Sequence, residues 1–145
     1  MKRILFVCTG NTCRSPMAEA ILKSKNIPEL EVKSAGVFAV EGSTASPNAG
    51  KVLAENKLDL DHQSTQLSVK EIDWATIVLT MTTSHKDAVI SYFPQAGGKT
   101  FTLSEFAGIV GKDIADPYGG SIELYRAAFA EIKTAIEKAE GKWIE

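Results

Sequence analysis

One octet constrains this chain more than any other stretch. Cys8-Thr9-Gly10-Asn11-Thr12-Cys13-Arg14-Ser15 follows the apolar run Ile4-Leu5-Phe6-Val7 and precedes Pro16-Met17-Ala18-Glu19-Ala20-Ile21-Leu22. That order predicts a buried strand, a short polar loop and a helix with proline near its first turn. A loop running into a helix N-terminus gathers unpaired backbone N–H groups and the positive end of the helix dipole at one spot, which favours an oxyanion. Cys8 places a thiol at the start of this loop. Arg14, six positions on, adds a planar, permanently charged clamp for tetrahedral oxyanions. The spacing Cys-x5-Arg-Ser therefore reads as a thiol-based phosphatase loop.

The rest of the chain reads as alternating strands and helices. Pro16 to about Lys25 and Pro47 to Asn56 carry helical stripes, and Glu31 to Ala35 reads as a short strand ended by Gly36. Val37 to Ser46 reads as a loop with Phe38 as its large apolar residue, and Leu58 to Leu67 as polar and irregular. Val69 to Trp74 allows one or two helical turns. Thr76 to Met81 is a β-branched apolar run expected as a central strand. Ser84 is expected to cap a helix to about Phe93, with Ala88, Val89 and Tyr92 inward, and Lys99 to Leu103 to form an edge strand. Ile122, Tyr125, Phe129, Ile132 and Ile136 step by three and four along a final helix. Right-handed crossovers then give an α/β fold: one three-layer domain over residues 1–145, a four-stranded parallel sheet with helices on both faces, and a ligand site at the carboxyl ends of the strands.

Composition narrows the function. A net charge of −2 over 145 residues, with no basic tract, argues against nucleic acid or an anionic membrane as a partner. The apolar run after Met1-Lys2-Arg3 is too short for a signal-peptide core or a membrane span, so a cytoplasmic location is expected. The two cysteines both sit in the anion loop, and with no histidine close by they cannot supply the four ligands of a zinc site. No metal or cofactor is expected.

A cysteine attacks phosphorus only as its thiolate, which the helix N-terminus, the loop amides and Arg14 all favour. Ser15 can donate to the Cys8 sulfur, cap the helix, or both. Gly10 allows close approach and positive φ, and Asn11 tolerates the left-handed region. Asp116, in the turn-rich Ala115-Asp116-Pro117-Tyr118-Gly119-Gly120, is the candidate acid for the leaving group. Tyr118 and Phe38 are candidate pocket walls. Cys13 is close enough along the loop to close a disulfide with Cys8 under peroxide, or to serve only as a packing residue. His85 carries no role that spacing can argue. Trp74 is expected to pack, and Trp143 to lie in a fraying tail.

Through Val7-Cys8-Thr9-Gly10-Asn11-Thr12-Cys13-Arg14-Ser15-Pro16, Ser34-Ala35-Gly36 and Asp116-Pro117-Tyr118, the chain resembles the low-molecular-weight protein tyrosine phosphatase family over nearly its whole length. The resemblance implies Cys8 as nucleophile forming a phosphocysteine and Arg14 as phosphoryl ligand, with Thr9, Gly10, Asn11, Thr12, Cys13 and Ser15 lining the anion site. It implies Asp116 as general acid and then base, with Ser34 and His62 bracing Asn11. Two positions depart from the tyrosine-specific pattern and resemble the bacterial protein arginine phosphatase branch: Thr12, where many members carry a bulky aliphatic residue, and Gly119, where they carry a second aromatic. A guanidinium has five donors and no acceptor, so its pocket needs acceptors such as the Thr12 hydroxyl and the Asp116 carboxylate. An aliphatic at position 12 would cost about 1–3 kcal/mol for each N–H left unpaired. Phosphoarginine on proteins is thus the expected substrate and phosphotyrosine the alternative, with a catalytically silent phosphate-binding module as the remoter reading. Arsenate reduction, which this fold also hosts, lacks the downstream cysteines it would need. The resemblance leaves oligomeric state open, with a monomer expected.

Overall fold

The computed structural model describes residues 1–143. Strand β1 (Lys2–Cys8) lies inside the sheet because Ile4, Leu5, Phe6, Val7 and Cys8 are all apolar and all buried, so neither face can be left to water. It pairs with β2 (Leu30–Gly36) on one side and β3 (Ile77–Thr80) on the other, with β4 (Thr100–Thr102) outermost. All three pairings are parallel and the order is β2-β1-β3-β4, so β4 occupies the expected edge.

Alternation along β1 divides the core in two. Ile4, Phe6 and Cys8 point to the face covered by α1 (Arg14–Ser24), α2 (Pro47–Glu55) and α6 (Ile122–Lys138). Leu5 and Val7 point to the opposite face, where α3 (Val69–Trp74) contributes Ile72 and α4 (Thr83–Tyr92) contributes Val89. The result is the expected three-layer α/β arrangement. A short helix not expected from the sequence, α5 (Leu103–Phe106), follows β4 directly, held by a capping box between Thr102 and Glu105. Among the described residues no helix is long and apolar enough to cross a membrane.

The chain leaves β1 in one direction through α1 to β2 and returns on the other side to β3, so the sheet's switch point lies at the carboxyl end of β1, where the Cys8 loop sits. α1 is wedged between the sheet, α2 and α6, and every residue from Arg14 to Leu22 is buried. The anion loop is therefore anchored at both ends in the core.

Three expectations are corrected. The cap of α4 is Thr82, whose extended backbone lets its hydroxyl accept from the His85 N–H, whereas Ser84 lies inside the first turn. Tyr92 is 67% exposed, because the stripe that faces the sheet is His85 and Val89, four residues apart. Trp143 does not fray: it is 1% exposed, its indole N–H donates to the Ile136 carbonyl at 2.9 Å, and its ring packs 5.2 Å from that of Phe106.

Candidate active site

Asn11 turns the chain from β1 into α1. It is fully buried with φ at 57°, the left-handed region asparagine tolerates better than most residues. Its side chain fixes the direction of a hydrogen-bond chain. The Thr65 N–H can only donate, and it lies 2.9 Å from Asn11 Oδ1, so the other amide atom is the donor nitrogen. That nitrogen gives one proton to Ser15 Oγ (2.8 Å) and one to Ser34 Oγ (2.9 Å). Each serine then has a single proton to place elsewhere. Ser34 gives its proton to Glu19 Oε1 at 2.5 Å. Ser15 directs its proton to Cys8 Sγ, 2.9 Å away, an arrangement that suits a thiolate acceptor.

The Asn11 carbonyl is held as firmly. It accepts from His62 Nε2 at 2.6 Å and from Ser64 Oγ at 2.9 Å, which sets the His62 tautomer with the proton on Nε2. His62 and Ser34 thus both brace Asn11. The irregular Leu58 to Leu67 segment is the strap that carries His62, Ser64 and Thr65 over the loop.

Gly10 does not play the part expected of it: its φ is not positive, and an added Cβ would meet only Thr12 Oγ1, at 3.6 Å. The positive φ falls on Asn11, and the close approach falls on Gly36, opposite Cys8 in the sheet. A Cβ on Gly36 would strike the Thr9 carbonyl oxygen and come within 2.9 Å of the Asn11 nitrogen, both of them backbone atoms.

Arg14 is buried, and its Nη1 donates to the Ile114 carbonyl at 2.9 Å. Its Nη2 is 3.7 Å from Asp116 Oδ2. Asp116 is 55% exposed, and its other oxygen accepts from the Tyr118 N–H at 3.0 Å, an Asx turn that Gly119 continues at φ 76°. Cys8, Thr9, Gly10, Thr12, Cys13, Arg14, Asp116 and Tyr118 line one cleft of about 340 Å³, together with Phe38, Val40 and Ser43. The thiol, guanidinium and carboxyl expected from the sequence, 108 residues apart at their extremes, open into the same space. Cys13 borders the cleft, but its sulfur lies 3.4 Å from both Ser46 Oγ and the Tyr125 hydroxyl. Both thiols are free.

Residues 3–144 match the profile of the low molecular weight phosphotyrosine protein phosphatase family. The chain belongs to that family. It is 57% identical over 140 residues to a protein-arginine-phosphatase of Geobacillus stearothermophilus, covering 97% of this chain and 95% of that one. It is 42% identical to the low molecular weight protein-tyrosine-phosphatase PtpB of Staphylococcus haemolyticus, covering 94% and 96%. The solved YwlE arginine phosphatase of G. stearothermophilus superposes with a TM-score of 0.95 at 56% identity, over 98% of this chain and 92% of that chain.

Sequence reasoning gave no role to Ser64, which braces Asn11, or to two further buried residues beside the loop, Glu19 and His85. Glu19 interrupts the apolar run of α1, and a buried carboxylate there accepts from Ser34, pairs with Lys23 and lies 3.9 Å from His62. Its signal was an acid in a stripe that is otherwise core. His85 is 7% exposed beneath the loop, with Nε2 2.8 Å from Thr9 Oγ1 and Nδ1 3.0 Å from Thr82 Oγ1. Burial, reinforced by the Arg14 charge and opposed by Asp116 and Asp113, holds its pKa down at about 4. It is therefore a neutral clamp between α4 and the anion loop. Only its place three residues after the Thr82 cap could have hinted at this.

Proposed function

We propose that this protein phosphatase removes phosphate from phosphoarginine on proteins through a phosphocysteine intermediate. The Cys8 thiolate attacks phosphorus, the bond from phosphorus to the guanidino nitrogen breaks, and the protonated Asp116 carboxyl gives its proton to that nitrogen. Asp116, now a carboxylate, takes a proton from water as the water oxygen attacks the phosphocysteine. The S–P bond breaks and phosphate leaves, while the Ser15 hydroxyl steadies the restored thiolate. Arg14 and the loop amides hold the equatorial oxygens, where charge accumulates, and so supply positive charge without a metal ion.

The observation that carries the substrate reading is that the Thr12 hydroxyl and the Asp116 carboxyl, which still accepts through the oxygen that does not carry the acid proton, line the same cleft as Cys8. They are acceptors available to a group that has only donors to offer. The arginine-phosphatase name of the 57%-identical relative supports the same reading. The test compares kcat/KM for free phosphoarginine and phosphotyrosine in the parent and in Thr12→Ile. The parent is expected to prefer phosphoarginine and the variant to lose that preference selectively. A parent that turns over phosphotyrosine better, or a variant that loses phosphotyrosine turnover more, overturns the assignment and leaves a tyrosine phosphatase.

A further inference from the structure

Phe38 separates two clefts. On one side it lines the site of Cys8, and on the other it joins Val37, Leu67, Gln66, Tyr92 and Phe93 around a second cleft of about 290 Å³. Phe38 is 74% exposed, Tyr92 67%, and Val40 and Tyr118 at the mouth of the first cleft are equally open to water. Side chains this apolar gathered on one surface mark a place where something binds.

The partition is fastened to the anion loop. The Val37 N–H donates to the Cys8 carbonyl at 3.0 Å and the Phe38 N–H to the Thr9 carbonyl at 2.9 Å. The second cleft therefore keeps a fixed position relative to the reacting sulfur. Its polar side chain is already satisfied: Gln66 Oε1 accepts from the Ala39 N–H at 2.7 Å, and its nitrogen donates to the Val37 and Leu67 carbonyls at 3.0 and 3.4 Å. Apart from the Tyr92 hydroxyl and the Gln66 amide, the lining side chains offer carbon to an occupant, so an apolar side chain gains more contact there than a charged one.

We propose that the second cleft is a substrate subsite that takes an apolar or aromatic side chain of the phosphoprotein, one or two residues from the phosphorylated one. The phosphorylated side chain enters the Cys8 cleft and leaves its backbone at the rim, against Phe38. An extended chain advances about 3.3 Å per residue, so a neighbour two positions away on the same face sits about 7 Å along. The two clefts share Phe38 as a common wall, so a flanking side chain has to pass only that one residue to reach the second cleft. The inference rests on the proposed function only in requiring a protein substrate. It adds a preference for residues flanking the phosphorylated one.

The experiment uses two sets of short peptides, one phosphorylated on arginine and one on tyrosine, with Leu or Asp placed in turn at each of the two positions before and after the phosphorylated residue. The parent and Tyr92→Asp are compared on both sets and on the free phosphoamino acids. The parent is expected to favour Leu over Asp about ten-fold in kcat/KM at one flanking position. In Tyr92→Asp that ratio is expected to fall to about one, with turnover of the free phosphoamino acids unchanged. No preference in the parent on either set, or a preference that Tyr92→Asp leaves intact, overturns the subsite. So does a fall in free phosphoamino acid turnover equal to that on peptides, or sedimentation showing that Tyr92→Asp splits a dimer of the parent, which would make a second copy the occupant. If only the phosphotyrosine peptides are turned over, the phosphoarginine reading fails while the flanking preference is still decided on them.

Discussion

Replacing His85 with glutamine tests the buried clamp by removing a titratable ring and keeping a neutral side chain that can reach Thr9. In the folded protein burial, followed by the Arg14 charge, holds His85 at about 4, against 6.5 in the unfolded chain. Folding therefore favours the neutral ring. Above pH 6.5 both states carry it neutral and its contribution to stability is complete. As pH falls from 6.5 towards 4, the unfolded chain binds a proton that the folded protein refuses, and stability is lost across that window. At about 1.36 kcal/mol per pH unit of mismatch, the loss is about 2 kcal/mol at pH 5 and at most about 3 kcal/mol at pH 4. Urea unfolding of the parent and His85→Gln at half-unit steps from pH 4 to 7.5 isolates this contribution, because every other ionisable side chain is common to the two proteins. The gap between the two stability curves should close, or change sign, by that amount as pH falls. Parallel curves would show that the ring is not held neutral and would refute the clamp.

Four further outcomes follow from the same contacts. Gly36→Ala pushes a methyl group into the backbone of the anion loop and is expected to cost about 3 kcal/mol in urea unfolding and to abolish phosphate binding, whereas Gly10→Ala is expected to be mild in both assays. Asp116→Asn removes the proposed acid and is expected to lower kcat about 10²–10⁴-fold, with Kd for phosphate nearly unchanged; an unchanged kcat would reassign the proton donor. Trp143→Ala is expected to cost about 3–5 kcal/mol, because a buried indole and its bond to Ile136 are lost. Cys13→Ser is expected to make peroxide inactivation irreversible by thiols if Cys13 closes a disulfide on Cys8, and inactivation that stays as reversible as the parent's would confine Cys13 to packing.

The loop motif, the alternation of strands and helices and the Asp-Pro-Tyr turn were all legible because each depends on neighbours in sequence. A thiol and an arginine six positions apart, set between an apolar strand and a helix, mark a candidate anion loop from local order alone. Period-two and period-3.6 apolar patterns then set which faces are buried. Errors arose where a residue's environment comes from elsewhere in the chain. Trp143 reads as a tail residue, yet the groove beside Phe106 and α6 gives it a buried place. Tyr92 fits a helical stripe, but the stripe that faces the sheet is set by His85 and Val89.

By itself, the sequence determined which reactive groups the end of β1 and the turn at Asp116 carry: the thiol of Cys8, the guanidinium of Arg14 and the carboxyl of Asp116, to which the proposed mechanism assigns the roles of nucleophile, phosphate clamp and acid. Only the tertiary structure decided how that chemistry is held. Asn11 is braced by His62, Ser64 and Thr65 from a strap more than fifty residues away, and the direction of the Ser15 proton follows from that bracing. The need for glycine passes from Gly10 to Gly36, because close approach is set by which strand pairs with β1. His85 becomes part of the site because α4 packs beneath Thr9. Local pattern encodes which groups a loop carries, whereas the pairing of distant segments encodes the partners that orient them, and that pairing exists only once the sheet has formed.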